Sequence, residues 1–434
     1  MIEIDIERPV PGGDMMARHE GRVVFVAGAL PGERVRAVVT KRRGNVAWAQ
    51  VREVITPSPD RRDVTSDPLC GGRTYAHIRY ERQLAIKAEV IADAFRRIAK
   101  HPLEQPVPVV ASPETGYRLR ARLHVDGAAF GFYREGSHTV CAAGPTGQLT
   151  EAALAAVGRL HAALGKGAVV CTSMLVSEDT AGQARVVTCA TRDGATLDPF
   201  LGMTLPEGLT GVVVQARKGE FIAAGSDQVV DHSRSLPGVA LAGRPSVTWA
   251  RRGASFFQGN RFLAGALLDR VLAAAHGRFV DLYAGVGLFA VSMAARGQHG
   301  LAVEGDPTSA GDLASNGELY REHLTTRAES VEAATARTPD TRPDVVVVDP
   351  PRTGLSADVV TGLLRWRTPR IVYVSCDVPT LARDAQRLLA DSYRLSSLEA
   401  LDMFPNTPHV ECVAVFDRAA STNAVNSDAD SPVR

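Results

Sequence analysis

Residues 280–290 read VDLYAGVGLFA, an apolar strand that runs into Gly285-x-Gly287 and then into an apolar helix. Glycines at such a turn let the backbone approach a nucleotide. The next apolar run ends in an acid, Glu304, placed to bind ribose hydroxyls. A dinucleotide-dependent dehydrogenase carries the same pattern, so the motif alone leaves two readings open. Asp281 at the strand end, placed for an ammonium group, and the late position of the motif in the chain favour S-adenosylmethionine over NAD.

Outward from that turn, everything after Arg252 alternates apolar strands with amphipathic helices: FVDLYAG, HGLAVEGD, PDVVVVDPP, IVYVSCD and ECVAVFD mark the strands. Short continuous runs such as Val345–Val348 belong in a parallel sheet covered on both faces. Residues 248–418 are therefore predicted to form a doubly wound, Rossmann-like α/β domain. At the other end of the chain, β-branched runs between Arg22 and Ile55, broken at Pro31-Gly32 and Gly44-Asn45, predict a small antiparallel β-barrel within residues 1–57. Its basic turn, Lys41-Arg42-Arg43, suits either a solvated hairpin tip or an RNA contact.

Residues 58–247 between them read as a central α+β domain. Apolar residues at helical spacing between Tyr75 and Lys100 predict one long helix. Period-two alternation around Asp126-Gly127 predicts a hairpin that carries Arg118, Arg120 and Arg122 on one strand face. Residues 419–434 lack large apolar side chains and are expected to be disordered.

Composition narrows the class. In 434 residues, 49 Lys+Arg oppose 48 Asp+Glu, a net charge of +1, so any nucleic-acid surface must be a local basic face. No apolar run approaches the roughly 20 residues that span a bilayer, and the acidic start MIEIDIERPVPGGD is unlike a signal peptide, so a cytoplasmic protein is expected. Six scattered cysteines without a C-x-x-C pair signal neither a disulfide framework nor a zinc site; reduced thiols are the expectation.

The chemistry concentrates at the ends of the late strands. In PDVVVVDPPRTG, Asp349 leaves the strand at its carboxyl end and Pro350-Pro351 force an extended exit. Ligands bind at those strand ends in a doubly wound sheet. A D-P-P followed by an aromatic residue resembles the amino-methyltransferases that hold an exocyclic amine; here Arg352 follows instead, and that contrast implies a ring-carbon acceptor. The next strand, IVYVSCD, delivers Cys376 to the same edge. Glu411 enters a strand among Val410, Cys412 and Val413, where a carboxylate makes sense only beside a site; Cys412 reads as core.

Those residues resemble the S-adenosylmethionine-dependent RNA uracil-5 methyltransferase family. Two stretches are similar to its signatures: DPPRTG at 349–354 with IVYVSC at 371–376 and Thr380, and LDMFPNTPHVE at 401–411. GDMMARHEGRVVFVAGALPGERV resembles the family's N-terminal TRAM barrel, an OB-like fold, and FFQGN at 256–260 resembles its cofactor-contacting segment. The resemblance implies that Cys376 is the nucleophile and Glu411 the proton acceptor. It implies that Gln258, Tyr283, Glu304 and Asp349 line the S-adenosylmethionine site with Gly285. With RNA as the substrate, the basic residues Lys41, Arg42, Arg118, Arg120 and Arg122, which otherwise read as a solvated surface, are expected to contact it; the TRAM barrel favours ribosomal RNA, with transfer RNA the alternative.

The chain departs from the family at Asp377, where Asn is common, and at Asn406, where Gln, His or Tyr is preferred. Some members hold a four-iron cluster through four cysteines. Here Arg73 and Val64 stand in two of those places and only Cys70 and Cys141 remain, too few for a cubane, so no iron–sulfur cluster and no other metal is expected. A monomer that needs no membrane is the expected state. Cytosine-5 methylation and a non-catalytic RNA-binding protein are the alternatives. The first lacks its usual cysteine after the proline, and the second leaves Cys376 and Glu411 unexplained.

Overall fold

The computed structural model describes residues 1–64, 66–165, 170–216, 220–237 and 246–419. Strands β1 (Ile2–Pro9), β2 (Met15–His19), β3 (Arg22–Ala27), β4 (Arg34–Arg43) and β5 (Val46–Thr56) close into a barrel in the order β1-β2-β3-β5-β4. Alternation drives closure: Ile4, Ile6, Val24, Val26, Val35, Ala37, Ala47 and Ala49 are all turned inward and buried. The barrel differs from the expected antiparallel one in that β3 and β5 pair in parallel.

Helix α1 (Tyr80–Ala94) ends in a π-helical turn, Phe95–Ala99, and leads to the short strand β6 (Val109–Val110). Both belong with the catalytic sheet rather than with the segments that follow them. Ile86, Val90, Ile91 and Phe95 join barrel residues and one face of that sheet in a single hydrophobic core. The span 58–247 is therefore divided in space, because a helix with an apolar stripe this wide buries it between two neighbours.

The central sheet has the order β13-β12-β11-β10-β7-β8-β9, from β7 (Arg120–Asp126), β8 (Ala129–Tyr133), β9 (Val140–Ala142), β10 (Cys171–Glu178), β11 (Arg185–Thr191), β12 (Gly211–Gln215) and β13 (Phe221–Gly225). Helix α2 (Glu151–Leu164), capped by the Thr150 side chain, packs on it through Ala153, Val157 and Leu160. The hairpin β7–β8 turns at Asp126-Gly127 as its sequence predicts. Strands β14 (Gln228–His232) and β15 (Thr248–Arg252) form a separate ribbon.

Seven strands of the catalytic sheet follow: β16 (Phe279–Leu282), β17 (Gly300–Glu304), β18 (Leu324–Ala328), β19 (Val345–Val348), β20 (Arg370–Ser375), β21 (Tyr393–Leu401) and β22 (Glu411–Arg418). With β6 the order is β18-β17-β16-β19-β20-β22-β21-β6. Strands β16 to β20 are parallel, β22 is antiparallel to both neighbours, and the order reverses between β16 and β19. Helices α3 (Ala264–Ala274), α4 (Leu288–Ala295), α5 (Pro307–Gly317), α6 (Val331–Ala336), α7 (Ala357–Trp366) and α8 (Val378–Ala390) cover its faces. The sequence expectation for residues 420–434 lies outside the described residues.

One cysteine expectation is corrected. Cys70 and Cys141 are joined as a disulfide with Cα atoms 5.8 Å apart, tying the segment before α1 to β9. Sequence spacing could not reveal this, since 71 residues separate them and only the folding of β8–β9 against that segment brings them together. Among the described residues, Cys171, Cys189, Cys376 and Cys412 stay free.

Candidate active site

At the reversal of strand order, the carboxyl ends of β16, β17, β19 and β20 share one edge, and antiparallel β22 begins at that same edge. The chain leaves β16 through Tyr283, which takes a left-handed φ of 62°, and Gly285 and Gly287 at φ 56° and 95° carry it into α4. A side chain that adopts αL at a strand end is strain held in place by its surroundings. Nothing lies within 4 Å of where a Cβ on Gly285 would stand, which leaves its backbone open to a ligand.

Glu304 at the end of β17 ties this turn down. Its carboxylate accepts from the Gly285 N–H at 2.8 Å and from the Asp306 N–H at 2.7 Å. Asp281, fully buried, accepts from the Ala290 N–H at 3.0 Å through one oxygen, while the other has no partner among the described residues. Burial and the nearby Asp349 hold the Asp281 carboxyl well above the usual range. A buried carboxylate oxygen without a partner asks for a positive group, and the methionine moiety of S-adenosylmethionine carries one. The donors and the open glycine turn therefore fit that cofactor.

Asp349 follows β19 and accepts from the Gln258 side-chain amide at 3.1 Å. Burial pushes the Asp349 carboxyl up to about 7 against that bond. Gln258 is itself buried, and its segment is anchored two residues on by Asn260, whose amide donates to Ser112 Oγ at 2.8 Å and to the Met403 carbonyl at 3.3 Å.

Ser375, the last residue of β20, pairs with Cys412 of β22. That register sets the next residue, Cys376, beside Glu411. Glu411 is 3% exposed, and burial, then the charge of Asp349, raises its carboxyl well above the ordinary range. Burial, Glu411 and Asp349 push the Cys376 thiol up to about 12. Arg352 opposes both shifts and is the cation the sequence had placed directly after the two prolines. Asp377 caps α8 by accepting from the Thr380 N–H at 3.0 Å, which fixes the turn that presents Cys376.

Sequence reasoning missed what holds the loop before Glu411. Lys87 of α1 and Asp402, both without solvent exposure, form an ion pair, and Lys87 also donates to the Phe404 carbonyl at 3.2 Å. Gln83, one turn earlier, accepts from the Asn406 N–H at 2.9 Å and donates to its side-chain oxygen at 3.1 Å. Arg62 donates to that oxygen at 2.7 Å. Asn406 sits at φ 64°, a conformation asparagine tolerates better than most residues. The signal was present: Gln83 and Lys87 are polar residues on the buried stripe of α1.

The basic residues divide. Lys41 and Arg42 are exposed on the barrel. Arg122 is exposed on β7 and bonds Ser173 Oγ at 3.2 Å, whereas Arg120 is half-buried, bonds the Ala254 carbonyl at 2.9 Å and is pushed down to about 10 by burial and by Arg251, Arg122 and Arg118. Arg118 precedes the strand. It bonds Gln148, and its guanidinium lies 5.5 Å over the Phe132 ring; burial alternates from 117 to 123, so the three arginines share one face but are unequally exposed on it.

Known proteins fit this geometry. The model of the tRNA (Uracil-5-)-methyltransferase family matches residues 334–419, and that of the TRAM domain matches residues 1–51. The 23S rRNA (uracil(1939)-C(5))-methyltransferase RlmD of Alkalilimnicola ehrlichii is 34% identical, with 94% of each chain covered. That of Pseudomonas putida is 32% identical over 95% of this chain and 93% of the relative. Among solved structures, the Pyrococcus abyssi tRNA (uracil-54, C5)-methyltransferase in complex with S-adenosyl-L-homocysteine shares the fold, with a TM-score of 0.74 and 24% identity over 95% of this chain and 99% of that one. With similarity at this level running the length of both chains, and a cofactor edge that fits S-adenosylmethionine, the chain belongs to the S-adenosylmethionine-dependent RNA uracil-5 methyltransferase family.

Proposed function

We propose that Cys376 and Glu411 carry out methylation of carbon 5 of a uridine in large-subunit ribosomal RNA as nucleophile and base. The observation that supports this most directly is the register of β20 against β22, which sets the thiol beside a buried carboxylate at the cofactor edge. Uracil carbon 5 is a weak nucleophile. Addition of the Cys376 sulfur to carbon 6 breaks the 5,6 double bond and moves its electron pair into an enolate reactive at carbon 5. Asp281, Gly285, Glu304, Gln258 and Asp349 would hold S-adenosylmethionine, which would supply the methyl group to carbon 5, its methyl–sulfur bond breaking and S-adenosylhomocysteine leaving. Carbon 5 then still bears its hydrogen; Glu411 takes that proton, the double bond reforms, and the cysteine sulfur leaves.

The raised Glu411 carboxyl suits this role, since a more basic carboxylate is the better acceptor for a carbon-bound proton. The raised thiol means that the free protein keeps its nucleophile protonated, and Arg352 is the resident charge that favours the thiolate. The target base must leave its stack to reach such an edge. The exposed Lys41, Arg42 and Arg122 are read as contacts to the surrounding RNA, with Arg118 and Arg120 shaping that surface.

The ribosomal substrate is supported by the relatives named for position 1939 of 23S rRNA. No helix among the described residues is long and apolar enough to cross a membrane. Two measurements test the proposal. Mass spectrometry of ribosomal and transfer RNA from a deletion strain should show a lost 5-methyluridine in the large subunit; loss only from transfer RNA reassigns the substrate. Cys376→Ala should give neither adduct nor product, and Glu411→Gln should trap methylated RNA covalently on the protein in denaturing gels. Normal turnover by Glu411→Gln would move the base to another residue.

A further inference from the structure

The parallel pair β3–β5 breaks the pattern of its own barrel. Val24, Val26, Ala47 and Ala49 fill the interior, so Val23, Phe25, Val46 and Trp48 face outward, where a small barrel in water carries polar side chains. Register sets Val23 opposite Val46 and Phe25 opposite Trp48, with the two rings 5.9 Å apart and tilted at 49°. All four remain partly exposed. They form one wall of a groove of about 720 Å³, whose other wall is the end of α1 and its π-helical turn, with Asp93, Arg97, Ile98 and Lys100.

The rim of this groove is positive. Lys41 holds its ammonium 5.3 Å over the Trp48 ring, and Arg97 and Lys100 are exposed on the opposite wall. The two carboxylates present do not offset this. Asp93 is already paired with Arg8 at 3.2 Å, with Arg97 at 3.5 Å and with Arg96, and burial of Asp14 disfavours its charge.

One end of the groove is built by a turn that packs against the loop before Glu411. Pro11 and Asp14 line that end, and Gly13 between them sits at φ 102°, so close that a Cβ there would stand 3.1 Å from Pro408. Pro408 lies three residues before Glu411.

We propose that this groove between the barrel and α1 is a subsite for an unpaired segment of the substrate RNA next to the target uridine. A base stacks on Trp48 and Phe25 while Lys41, Arg97 and Lys100 face its phosphates. Aromatic rings flanked by cations are how sequence-tolerant single-strand sites are built, and a base lifted from its stack leaves unpaired neighbours that need such a surface. The inference rests on RNA being the substrate. The cations on both walls favour a polyanion over a protein partner.

The test uses the full chain with S-adenosylmethionine and large-subunit ribosomal RNA from the deletion strain. Trp48→Ala should raise the KM for RNA between about 5-fold and 100-fold, the range lost with one base stack, while kcat at saturating RNA and the affinity for S-adenosylmethionine stay unchanged. Trp48→Phe should restore most of the loss. With 4-thiouridine beside the target position, photocrosslinks in the wild type should map to residues 23–26 or 46–48. An unchanged KM with no crosslink there overturns the groove while leaving the methylation reading intact. Sedimentation that shifts with Trp48→Ala while RNA affinity does not would make the groove a protein interface. If the wild type methylates neither ribosomal nor transfer RNA, the substrate reading fails and this inference fails with it.

Discussion

Replacing Lys87 by Met removes one half of an ion pair whose two side chains have no solvent exposure. The ammonium also holds the Phe404 carbonyl, and the Tyr80 hydroxyl faces the same Asp402 carboxylate without supplying a counter-charge. Met fills a similar volume, so the cost is electrostatic: a buried Asp402 is left without its counter-charge, worth about 3–5 kcal/mol. That cost falls on the segment 402–409 and not on the whole sheet, because Asp402 and Phe404 belong to the loop and Lys87 belongs to α1. The loop opens locally more often by a factor on the order of 10²–10⁴.

Hydrogen exchange should read this as lost protection at the amides of Phe404 and Asn406, which donate to Asp402 and Gln83. Protection in β16 and β19 should stay as it was. Because the loop leads directly into Glu411, kcat should fall more than the affinity for S-adenosylmethionine. A second substitution, Asp402→Leu, removes the stranded charge, so the double variant should recover most of the protection lost by Lys87→Met. If Lys87→Met exchanges like the wild type, or if the double variant is worse than the single, the pair does not hold the loop and the reasoning is refuted.

Alkylation of Cys376 in the free protein should accelerate about tenfold per pH unit through the neutral and alkaline range, because the thiol ionises only near 12, and Glu411→Gln should move that profile to lower pH by removing a negative neighbour. A plateau reached below pH 8 would contradict the electrostatics of the site. Cys70→Ser with Cys141→Ser opens a loop closed over 71 residues, and should lower stability by at most about 4 kcal/mol. Calorimetry with and without dithiothreitol should show the wild type converging on the variant under reduction; a wild type indifferent to reduction speaks against the bond.

The sequence determined the elements that depend on local pattern. The continuous valines of β19, the glycine turn after β16 and the hairpin at Asp126-Gly127 each follow from side-chain period and backbone freedom within a few residues, so they were readable along the chain. Strand ends also follow from such patterns, which is why Asp349 and Cys376 could be assigned to one edge from the sequence, whereas Glu411, at the start of its strand, joins them only because β22 runs antiparallel to β20. Properties that depend on distant partners could not be read this way. The Cys70–Cys141 bond, the turning of Arg118 toward Gln148, and the grip of Gln83 and Lys87 on residues more than 300 positions later are all set by packing. So is the placement of α1 with the catalytic sheet rather than with its own neighbours in sequence. An apolar stripe says that a helix face will be buried and not against what. The ionisation of Cys376 and Glu411 belongs to the tertiary structure for the same reason: burial and facing charges set it, and neither exists until β20 lies beside β22.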